Sequence, residues 1–241
     1  MNIILLHNTD FIDSNTVILK DRRKNHIINV LKSKADDSLF CGLINNNMGK
    51  GTISKINSAK IEIKINLNQL PPTPLPLILI LALPRPKMLK RIIESSTTLG
   101  VKKIYLINSW RVEKSFWQSP VLNNENLNKV LISGLEQAKD TIMPQIFKKQ
   151  LFTPFVKQEL ADISKGSLCI TAHPKATTPC PMDINQQTTL VIGPEGGFIN
   201  KEIETLEQIG FQTVNLGKRI LRTETAVPAI ISRLFPDLFS T

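Results

Sequence analysis

The chain of 241 residues carries 30 lysines and arginines against 20 aspartates and glutamates, and 41% of its residues are hydrophobic. The formal net charge of +10 favours a polyanionic partner, most often a nucleic acid, over the alternative of a generic basic surface. No apolar stretch reaches the roughly 18 residues of a membrane-spanning helix, and the first residues lack the basic start and cleavage site of a signal peptide, so we expect a cytoplasmic protein with no membrane contact.

Short strand-like runs dominate the first 70 residues. One helical stretch, 21–34, interrupts them, with Ile27, Val30 and Leu31 on one face and basic residues clustered at both ends. This pattern predicts a small β-barrel over residues 1–70 that carries one helix, a type common among RNA-binding modules. The predicted strands are 3–6, 16–19, 38–44, 51–56 and 60–66.

A proline-rich segment separates this part from the rest of the chain. The sequence "QLPPTPLP" at 69–76 has four prolines in eight residues. Proline fixes φ and removes a hydrogen-bond donor, so the segment predicts a stiff, extended linker and not the interior of a helix or strand. We therefore place the linker at 71–76 and a second domain at 77–241.

Strand and helix patterns alternate over the second domain. Residues 77–83 form an apolar run that fits a strand buried on both faces, and "MLKRIIESSTTLG" follows at helical spacing. This alternation predicts an α/β domain with a mostly parallel sheet. The remaining strands are predicted at 103–108, 145–147, 168–172, 189–193 and 213–217, and the remaining helices at 123–139, 154–162, 201–209 and from about 224 onward.

The run "LVIGPEGGFINKE" at 190–202 places three glycines, a proline and a carboxylate between a buried strand and a helix that Asn200 can cap. Glycine lets a ligand lie against bare backbone at the carboxyl edge of the sheet, where α/β proteins bind their ligands. The spacing fits neither a P-loop nor a dinucleotide fingerprint, and Glu195 disfavours a phosphate. We expect a ligand with a positive or hydrogen-donating group, and the alternative is a tight turn without a ligand.

A second stretch, "NLGKRILRTETA", follows another predicted strand and contains Arg219 and Arg222. Ile220 and Leu221 lie between these arginines and indicate a semi-buried loop. We expect the next helix to begin close enough to Pro228 for this residue to fall in the first turn, whose amides lack partners in any helix. The two loops together predict a cofactor cleft with polar groups at its rim.

These two loops resemble the paired signature motifs of the bacterial ribosomal RNA small subunit methyltransferase E family, which belongs to the SPOUT class of RNA methyltransferases. The resemblance covers nearly the whole chain, since "RRKNHIINVLK", "LPRPKMLKRIIESSTTLGVKKIYLINSWR" and "EQAKDTIMP" also match family stretches. It implies an N-terminal PUA-like β-barrel, an α/β SPOUT domain with a C-terminal trefoil knot, and a homodimer. It further implies that S-adenosylmethionine is the cofactor and that the substrate is N3 of a uridine in 16S rRNA of the small ribosomal subunit.

Carried over by position, the resemblance assigns the cofactor to the two loops and to the end of the strand at 168–172. The implied cofactor-binding residues are Thr171, Ala172, His173, Ile192, Gly193, Pro194, Glu195, Gly196, Gly197, Leu216, Gly217, Ile220, Leu221, Thr223, Thr225 and Ala226. RNA is expected on the basic helix 21–34 and on the segment 84–114, which holds eight lysines and arginines against two glutamates. The predicted RNA-binding residues are Arg22, Arg23, Lys24, His26, Arg85, Lys87 and Arg111.

Two residues are the candidates for catalysis. Uracil N3 attacks a methyl group well only after losing its proton, so an arginine near the ring carbonyls would stabilise the developing negative charge. Arg222 is assigned that role, and Glu224 either accepts the proton or orients Arg222. No His, Cys or Asp cluster has metal-ligand spacing, and the three cysteines form no CxxC pair, so we expect no metal.

The chain departs from the family pattern where members read Glu-Gln-x-Gly-Arg. Here Asp140 stands in place of the arginine, and Lys139 can substitute for it only imperfectly, as a point charge instead of a planar fork. Two other functions stay open: a non-catalytic RNA-binding factor in ribosome assembly, and a SPOUT methyltransferase acting on another RNA. The intact cofactor motifs favour the enzyme, because a pure RNA-binding protein has no use for them.

Overall fold

The computed structural model describes residues 2–236 and divides into two compact units. Residues up to Thr73, together with 132–143, form the first unit, and residues 74–131 and 144 onward form the second. The division at 73/74 falls inside the proline-rich segment. The inclusion of 132–143 in the first unit was not predicted, because the sequence pattern there continues a single amphipathic helix.

Five strands form the sheet of the first unit. They follow the order β1-β3-β4-β5-β2, in which β1 pairs with β3 in parallel and every other neighbouring pair is antiparallel. The strands are β1 (Ile4–Leu6), β2 (Thr16–Leu19), β3 (Ser38–Leu43), β4 (Met48–Ile56) and β5 (Ile61–Gln69), with a 3-10 turn at Asn8–Asp10.

The two edge strands of this sheet share one core. Ile4 and Leu6 of β1 and Val17 and Leu19 of β2 are all buried in the same apolar cluster. Strands at opposite edges can meet in one cluster only when the sheet curls around it. The first unit is therefore a curled β-sheet, in agreement with the predicted barrel-like arrangement.

Helix α1 (Arg22–Asn29) is shorter than predicted. Asp21 caps its first turn by accepting a hydrogen bond from the Arg23 N–H, and the helix ends at Asn29 instead of residue 34. Ile27 is fully buried, whereas Val30 and Leu31 are 64% and 43% exposed. The predicted apolar face of three residues was wrong, because the chain leaves the helix before the two later residues can turn toward the core.

The second unit contains a six-stranded, wholly parallel sheet in the order β11-β9-β10-β6-β7-β8. Its strands are β6 (Leu77–Ala82), β7 (Lys103–Ile107), β8 (Gln145–Lys149), β9 (Leu168–Ala172), β10 (Thr188–Ile192) and β11 (Gln212–Val214). Every residue of β6 and β10 is buried, which matches the uninterrupted apolar runs that predicted them.

Helices connect these strands. They are α2 (Pro86–Thr98), α3 (Asn124–Ala138), α4 (Phe152–Pro154), α5 (Ala161–Ile163), α6 (Asn200–Glu207) and α7 (Thr223–Leu234). A π-helical turn, Phe155–Leu160, joins α4 to α5, and 3-10 turns occupy Lys114–Gln118 and Pro120–Leu122. Within residues 2–236, no helix is long and apolar enough to cross a membrane.

Because all six strands run in one direction, their carboxyl ends lie at the same edge of the sheet. The loops that leave β6, β7, β9, β10 and β11 therefore begin side by side, although they are far apart in sequence. The glycine turn and the "NLGKRILRTETA" stretch are two of these loops.

Candidate functional site

A cavity of about 710 Å³ lies at the carboxyl ends of β9, β10 and β11. The loops after these strands supply most of its wall, and Arg111, the start of α6 and one side of α7 supply the rest. The lining residues are Arg111, Ala172, His173, Pro174, Lys175, Cys180, 192–201, Val214, Asn215, Leu216, Gly217, Arg219, Ile220, Leu221, Thr223, Ala226 and Ile230. A volume of this size matches those of small-molecule and cofactor sites.

Two glycines of the turn after β10 leave little room for a side chain. A Cβ added at Gly196 would lie 3.0 Å from Cδ of Arg111, and one added at Gly193 would lie 3.1 Å from Cδ2 of Phe198. Gly197 has a φ of +72°, in the region that favours glycine. The turn is therefore closely packed on its protein side and presents bare backbone to the cavity.

Carboxylates fix the glycine turn to neighbouring loops. Glu195 Oε1 accepts a hydrogen bond from the Arg85 N–H at 3.0 Å. Both oxygens of the buried Glu202 are used, because Oε1 accepts from the Trp110 N–H at 2.7 Å and Oε2 from the Ile199 N–H at 3.0 Å. Three loops at the carboxyl edge of the sheet are thereby held together.

The cap of the helix after the turn differs from the prediction. Helix α6 already includes Asn200, which we expected to be its N-cap, and Ile199 occupies the cap position. Glu202 compensates by accepting the Ile199 N–H. Its place three residues after the cap is typical of the carboxylate in a capping box.

Arg111, predicted to bind RNA, belongs to the cavity wall. Its Nη1 donates a hydrogen bond to the Gly196 carbonyl, and its methylenes cover the Gly196 Cα. This contact was not predictable from the sequence, because nothing near "NSWR" indicates a partner 85 residues away. The arginine still reaches the surface, because its residue is exposed.

The second loop is anchored by Asn215. Its Nδ2 donates to the Ala176 carbonyl at 2.6 Å, and its Oδ1 accepts from the Gly217 N–H at 2.8 Å. Gly217 has a φ of +114°, so a side chain there would be strained. Asn215 therefore connects this loop to the loop after β9. This role was not predicted from the sequence.

The predicted semi-buried character of this loop was wrong. Ile220 is 81% exposed and Leu221 is 37% exposed. Residues 217–222 belong neither to β11 nor to α7, so no packed face of a strand or helix buries their side chains. Both residues nevertheless line the cavity, at its outer side.

Nearly all the residues assigned to the cofactor by resemblance lie in the wall of this one cavity; Thr171 and Thr225 do not. Thr171 is fully buried within β9, and Thr225 is exposed on the first turn of α7. Six lining residues that were not among the predicted site residues are apolar or contain sulfur. They are Pro174, Cys180, Phe198, Ile199, Val214 and Ile230.

His173 is the titratable group of the wall that follows β9. The backbone N–H of His173 donates to the Val214 carbonyl at 2.9 Å, which fixes the backbone at the mouth of the cavity. Burial, followed by the nearby charge of Lys175, lowers the pKa of the imidazole from its usual 6.5. His173 is therefore neutral at pH 7 and can accept or donate a hydrogen bond without carrying charge.

The two catalytic candidates border the cavity at the start of α7. Arg222 is the N-cap residue, and its carbonyl accepts from the Thr225 and Ala226 N–H groups at 2.9 and 2.8 Å. Its side chain is exposed and that of Glu224 is half-buried, and within residues 2–236 neither has a hydrogen-bond or ion-pair partner. Pro228 lies in the second turn of α7 and not in the first, because the helix begins at Thr223.

Arg23 of the first unit has a different role from the predicted RNA contact. It is 5% exposed, and its guanidinium donates to both carboxylate oxygens of Asp10, to Asp21 and to the Leu5 carbonyl, at 2.6 to 3.1 Å. Burial opposes its charge, but the hydrogen bonds that it donates to Asp10 and Asp21 outweigh that effect and raise its pKa. Arg23 is a structural ion-pair residue.

The other predicted RNA contacts of the first unit differ in accessibility. Arg22 pairs with Glu136 through two hydrogen bonds of 2.6 and 3.1 Å, but its side chain stays 57% exposed. Lys24 is half-buried and donates to the Ser58 carbonyl at 2.7 Å. Nε2 of His26 is buried without a partner among the described residues, and burial lowers its pKa.

The residues that depart from the family motif are structural. Asp140 is 3% exposed, and its Oδ1 accepts from the Ile142 N–H at 2.9 Å, which closes the turn after α3. Nζ of Lys139 lies 5.9 Å from the ring centre of Phe40, a cation–π distance. In the part of the chain that the structure describes, no group of three or more His, Cys, Asp or Glu side chains could hold a metal ion.

Comparisons with known proteins agree with both units. A family described as RNA methyltransferase domain matches residues 71–235, and one described as RNA methyltransferase PUA domain matches residues 19–66. The ribosomal RNA small subunit methyltransferase E of Treponema pallidum is 30% identical, over 95% of this chain and 88% of its own length. The enzyme of the same name from Buchnera aphidicola of Schizaphis graminum is 32% identical, over 95% of each chain.

Solved structures share the fold. The ribosomal RNA small subunit methyltransferase E of Neisseria gonorrhoeae, crystallised with S-adenosyl methionine, superposes with a TM-score of 0.72 at 21% identity, over 95% of this chain and 96% of the other. A Legionella pneumophila protein in complex with SAM gives a TM-score of 0.72 at 22% identity, over 96% of this chain and 95% of the other. The first unit is thus PUA-like, the second has the SPOUT methyltransferase fold, and the chain belongs to the ribosomal RNA small subunit methyltransferase E family.

Proposed function

We propose that this protein transfers a methyl group from S-adenosylmethionine to N3 of a uridine in 16S rRNA of the small ribosomal subunit. The observation that carries the proposal is the cavity formed by the glycine turn and the loop after β11, in a chain that belongs to this enzyme family. Ribosomes as the substrate imply that the protein works in the cytoplasm. We also propose the homodimer that the resemblance implies.

The residues of the cavity fit S-adenosylmethionine. The bare backbone at Gly193 and Gly196 accepts the close approach of a flat or charged group, and the apolar residues of the wall suit an adenine ring and a thioether chain. Glu195, at the mouth, suits the cationic part of the cofactor and disfavours a phosphate. The apolar wall residues include Ala172, Ile192, Phe198, Ile199, Val214, Leu216, Ile220, Leu221, Ala226 and Ile230.

The solved relatives support the same assignment. Two proteins with this fold, from Neisseria gonorrhoeae and Legionella pneumophila, were crystallised with this cofactor. When bound, S-adenosylmethionine supplies an electrophilic methyl group on a sulfonium.

Side chains of the protein must activate the uridine for attack on the methyl group. N3 of the ring must lose a proton, and the negative charge then spreads over the ring carbonyls. Arg222 is exposed at the N-terminal end of α7, where the helix dipole also favours negative charge. Glu224, half-buried in the first turn of the same helix, is the candidate to accept the proton. Neither side chain has a partner in residues 2–236 that would have to be displaced.

Binding of RNA is assigned to each unit separately. In the second unit, Arg85 and Lys87 are exposed, and Arg111 is exposed at the cavity. In the first unit, Arg22 and Lys24 supply positive charge at the start of α1. Phosphate contacts of this kind bind RNA without reading its sequence, and they make binding depend on salt.

Calorimetry of S-adenosylmethionine binding tests the placement of the cofactor. Gly196→Arg forces a long side chain against Cδ of Arg111 and into the backbone surface of the cavity, so we expect affinity to fall by at least about 100-fold. Ala59→Arg adds the same side chain at an exposed loop of the first unit and is the matched control. Equal affinities of the two variants would overturn the placement.

A further inference from the structure

The loop after β7 has an exposed tryptophan at its tip. The Val112 N–H donates to the Ser109 carbonyl at 3.1 Å, so Trp110 and Arg111 are the two central residues of a tight turn. Trp110 is 79% exposed, whereas Ser109 and Val112 are 3% and 7% exposed. Tryptophan is usually well buried, and an exposed one on a turn whose two end residues are buried indicates a contact surface.

The backbone under this tryptophan is fixed. Its own N–H donates to Glu202 at 2.7 Å, and the next residue, Arg111, donates to the Gly196 carbonyl. Asn108, on the other side, donates its N–H to the Lys149 carbonyl at 3.0 Å. The indole is therefore held outside the protein on an anchored turn, so little backbone entropy is lost when a partner covers it.

The turn is also tied to the cofactor cavity. Glu202, which holds Trp110, belongs to the helix that follows the glycine turn, and Arg111 lines the cavity. Arg85 is bonded through its N–H to Glu195 of the same turn, so it begins from the same edge of the sheet. An RNA nucleotide next to the target base would pass this edge.

The charges around the tip favour RNA over a protein partner. Four cations are exposed after β6 and β7, on the loops, the first turn of α2 and the 3-10 turn that follows, and they face the exposed carboxylates of Glu113 and Glu195. They are Arg85, Lys87, Arg111 and Lys114. Cations beside an exposed aromatic ring are the combination that binds single-stranded nucleic acid, because the ring stacks on a base while the cations neutralise phosphates.

We propose that Trp110 is a stacking platform for an unpaired base of the RNA substrate. This inference rests on the proposed function, since it specifies how the same enzyme holds RNA beside its cofactor cavity. The contact is independent of base identity, because every base has a π-face.

The probe is an oligouridylate of about ten nucleotides, compared with an abasic oligomer that has the same number of phosphates. We expect Trp110→Ala to weaken binding of the oligouridylate by about 5- to 100-fold and Trp110→Phe to weaken it less. Binding of the abasic oligomer should be the same for all three proteins, because only phosphate contacts remain. Fluorescence anisotropy of the labelled oligomers measures both.

The matched control is Trp117, the second of the two tryptophans in the chain. It is half-buried, and its Nε1 donates to Asn108 Oδ1 at 3.0 Å. Trp117→Phe leaves Trp110 as the sole tryptophan, and we expect its fluorescence to be quenched by the oligouridylate and not by the abasic oligomer.

Two results would overturn the proposal. The first is that Trp110→Ala binds the oligouridylate as tightly as the parent does. The second is that Trp110 fluorescence changes with protein concentration and not with RNA, because a second copy of the chain would then cover the indole. Calorimetry of S-adenosylmethionine binding to the parent shows whether the stacking proposal alone has failed or the proposed function has failed as well. A parent that binds the cofactor, with a Trp110→Ala variant of normal RNA affinity, overturns the stacking alone.

Discussion

Arg222 is the residue on which the chemistry of the proposed reaction depends. If its guanidinium stabilises charge on the uracil ring, Arg222→Ala should lower kcat by about two to three orders of magnitude. Arg222→Lys should recover little, because one ammonium group does not reproduce a planar fork. Single-turnover methyl transfer to small subunits measures the rate.

Affinity measurements decide between catalysis and binding at this position. S-adenosylmethionine affinity should change little in Arg222→Ala, because Arg222 is exposed and lies outside the cavity wall. Normal turnover at saturating RNA, with a raised KM for RNA, would move Arg222 from catalysis to RNA binding.

Single residues were predictable from the sequence when their role is local. The glycines of the turn were identified because a strand, a turn and a helix start follow one another in "LVIGPEGGFINKE". The cavity contact of Arg111 and the anchoring role of Asn215 were not predicted, because each acts through a partner far along the chain, Gly196 and Ala176 respectively. Arg23 resembles its neighbours in sequence, and only the fold shows that Asp10 and Asp21 enclose it.

Helix α1 illustrates how one element combines structural and binding charges. Arg23→Ala should lower the free energy of unfolding by about 3–5 kcal/mol, because it leaves the largely buried Asp10 without its cation. Lys24→Ala, on the same helix, removes one hydrogen bond to an exposed loop and should cost no more than about 1 kcal/mol. Urea denaturation measures both values. Equal losses from the two substitutions would show that Arg23 is not the structural centre of this helix.

The positions of the elements were predicted well, and their ends less well. The ends of β6 and β10 lie within one residue of the predicted ends, because burial on both faces permits few polar residues and makes each strand an uninterrupted apolar run. Helix α1 ends five residues early, whereas α7 begins within one residue of its predicted start but has Pro228 in its second turn and not in its first. Helix ends depend on capping residues and tertiary contacts, and the helical spacing of apolar residues in the sequence does not reveal either of them.

For the whole molecule, the family and the two folds predicted from the sequence are confirmed by the comparisons. The order of strands in the sheet and the inclusion of 132–143 in the first unit were not predictable, because both depend on pairing between distant segments. The trefoil knot and the homodimer stay predictions from the resemblance.

The stability of the protein should depend on two histidines. Burial lowers the pKa of both His26 and His173 from the usual 6.5, so the unfolded chain binds protons more tightly than the folded one. Their contribution to the unfolding free energy is complete above about pH 6.5 and is lost as the pH falls through their folded pKa values. Urea unfolding between about pH 8 and 5 should show this decline.

The double variant His26→Gln/His173→Gln should show a flatter decline over the same pH range. The same substitution at the exposed His7 is the control. A slope that the double variant leaves unchanged would mean that these imidazoles are not the groups responsible.

The most direct measurement of the central claim is methyl transfer to small ribosomal subunits from cells that lack this protein. The purified protein and S-adenosylmethionine labelled in the methyl group are added, and the 16S rRNA is digested and its nucleosides are separated by chromatography with mass spectrometry. We expect label in 3-methyluridine at a single site, and we expect this label to be lost with Gly196→Arg but not with Ala59→Arg. Label in any other nucleoside, or no label from a protein that binds the cofactor, would contradict it.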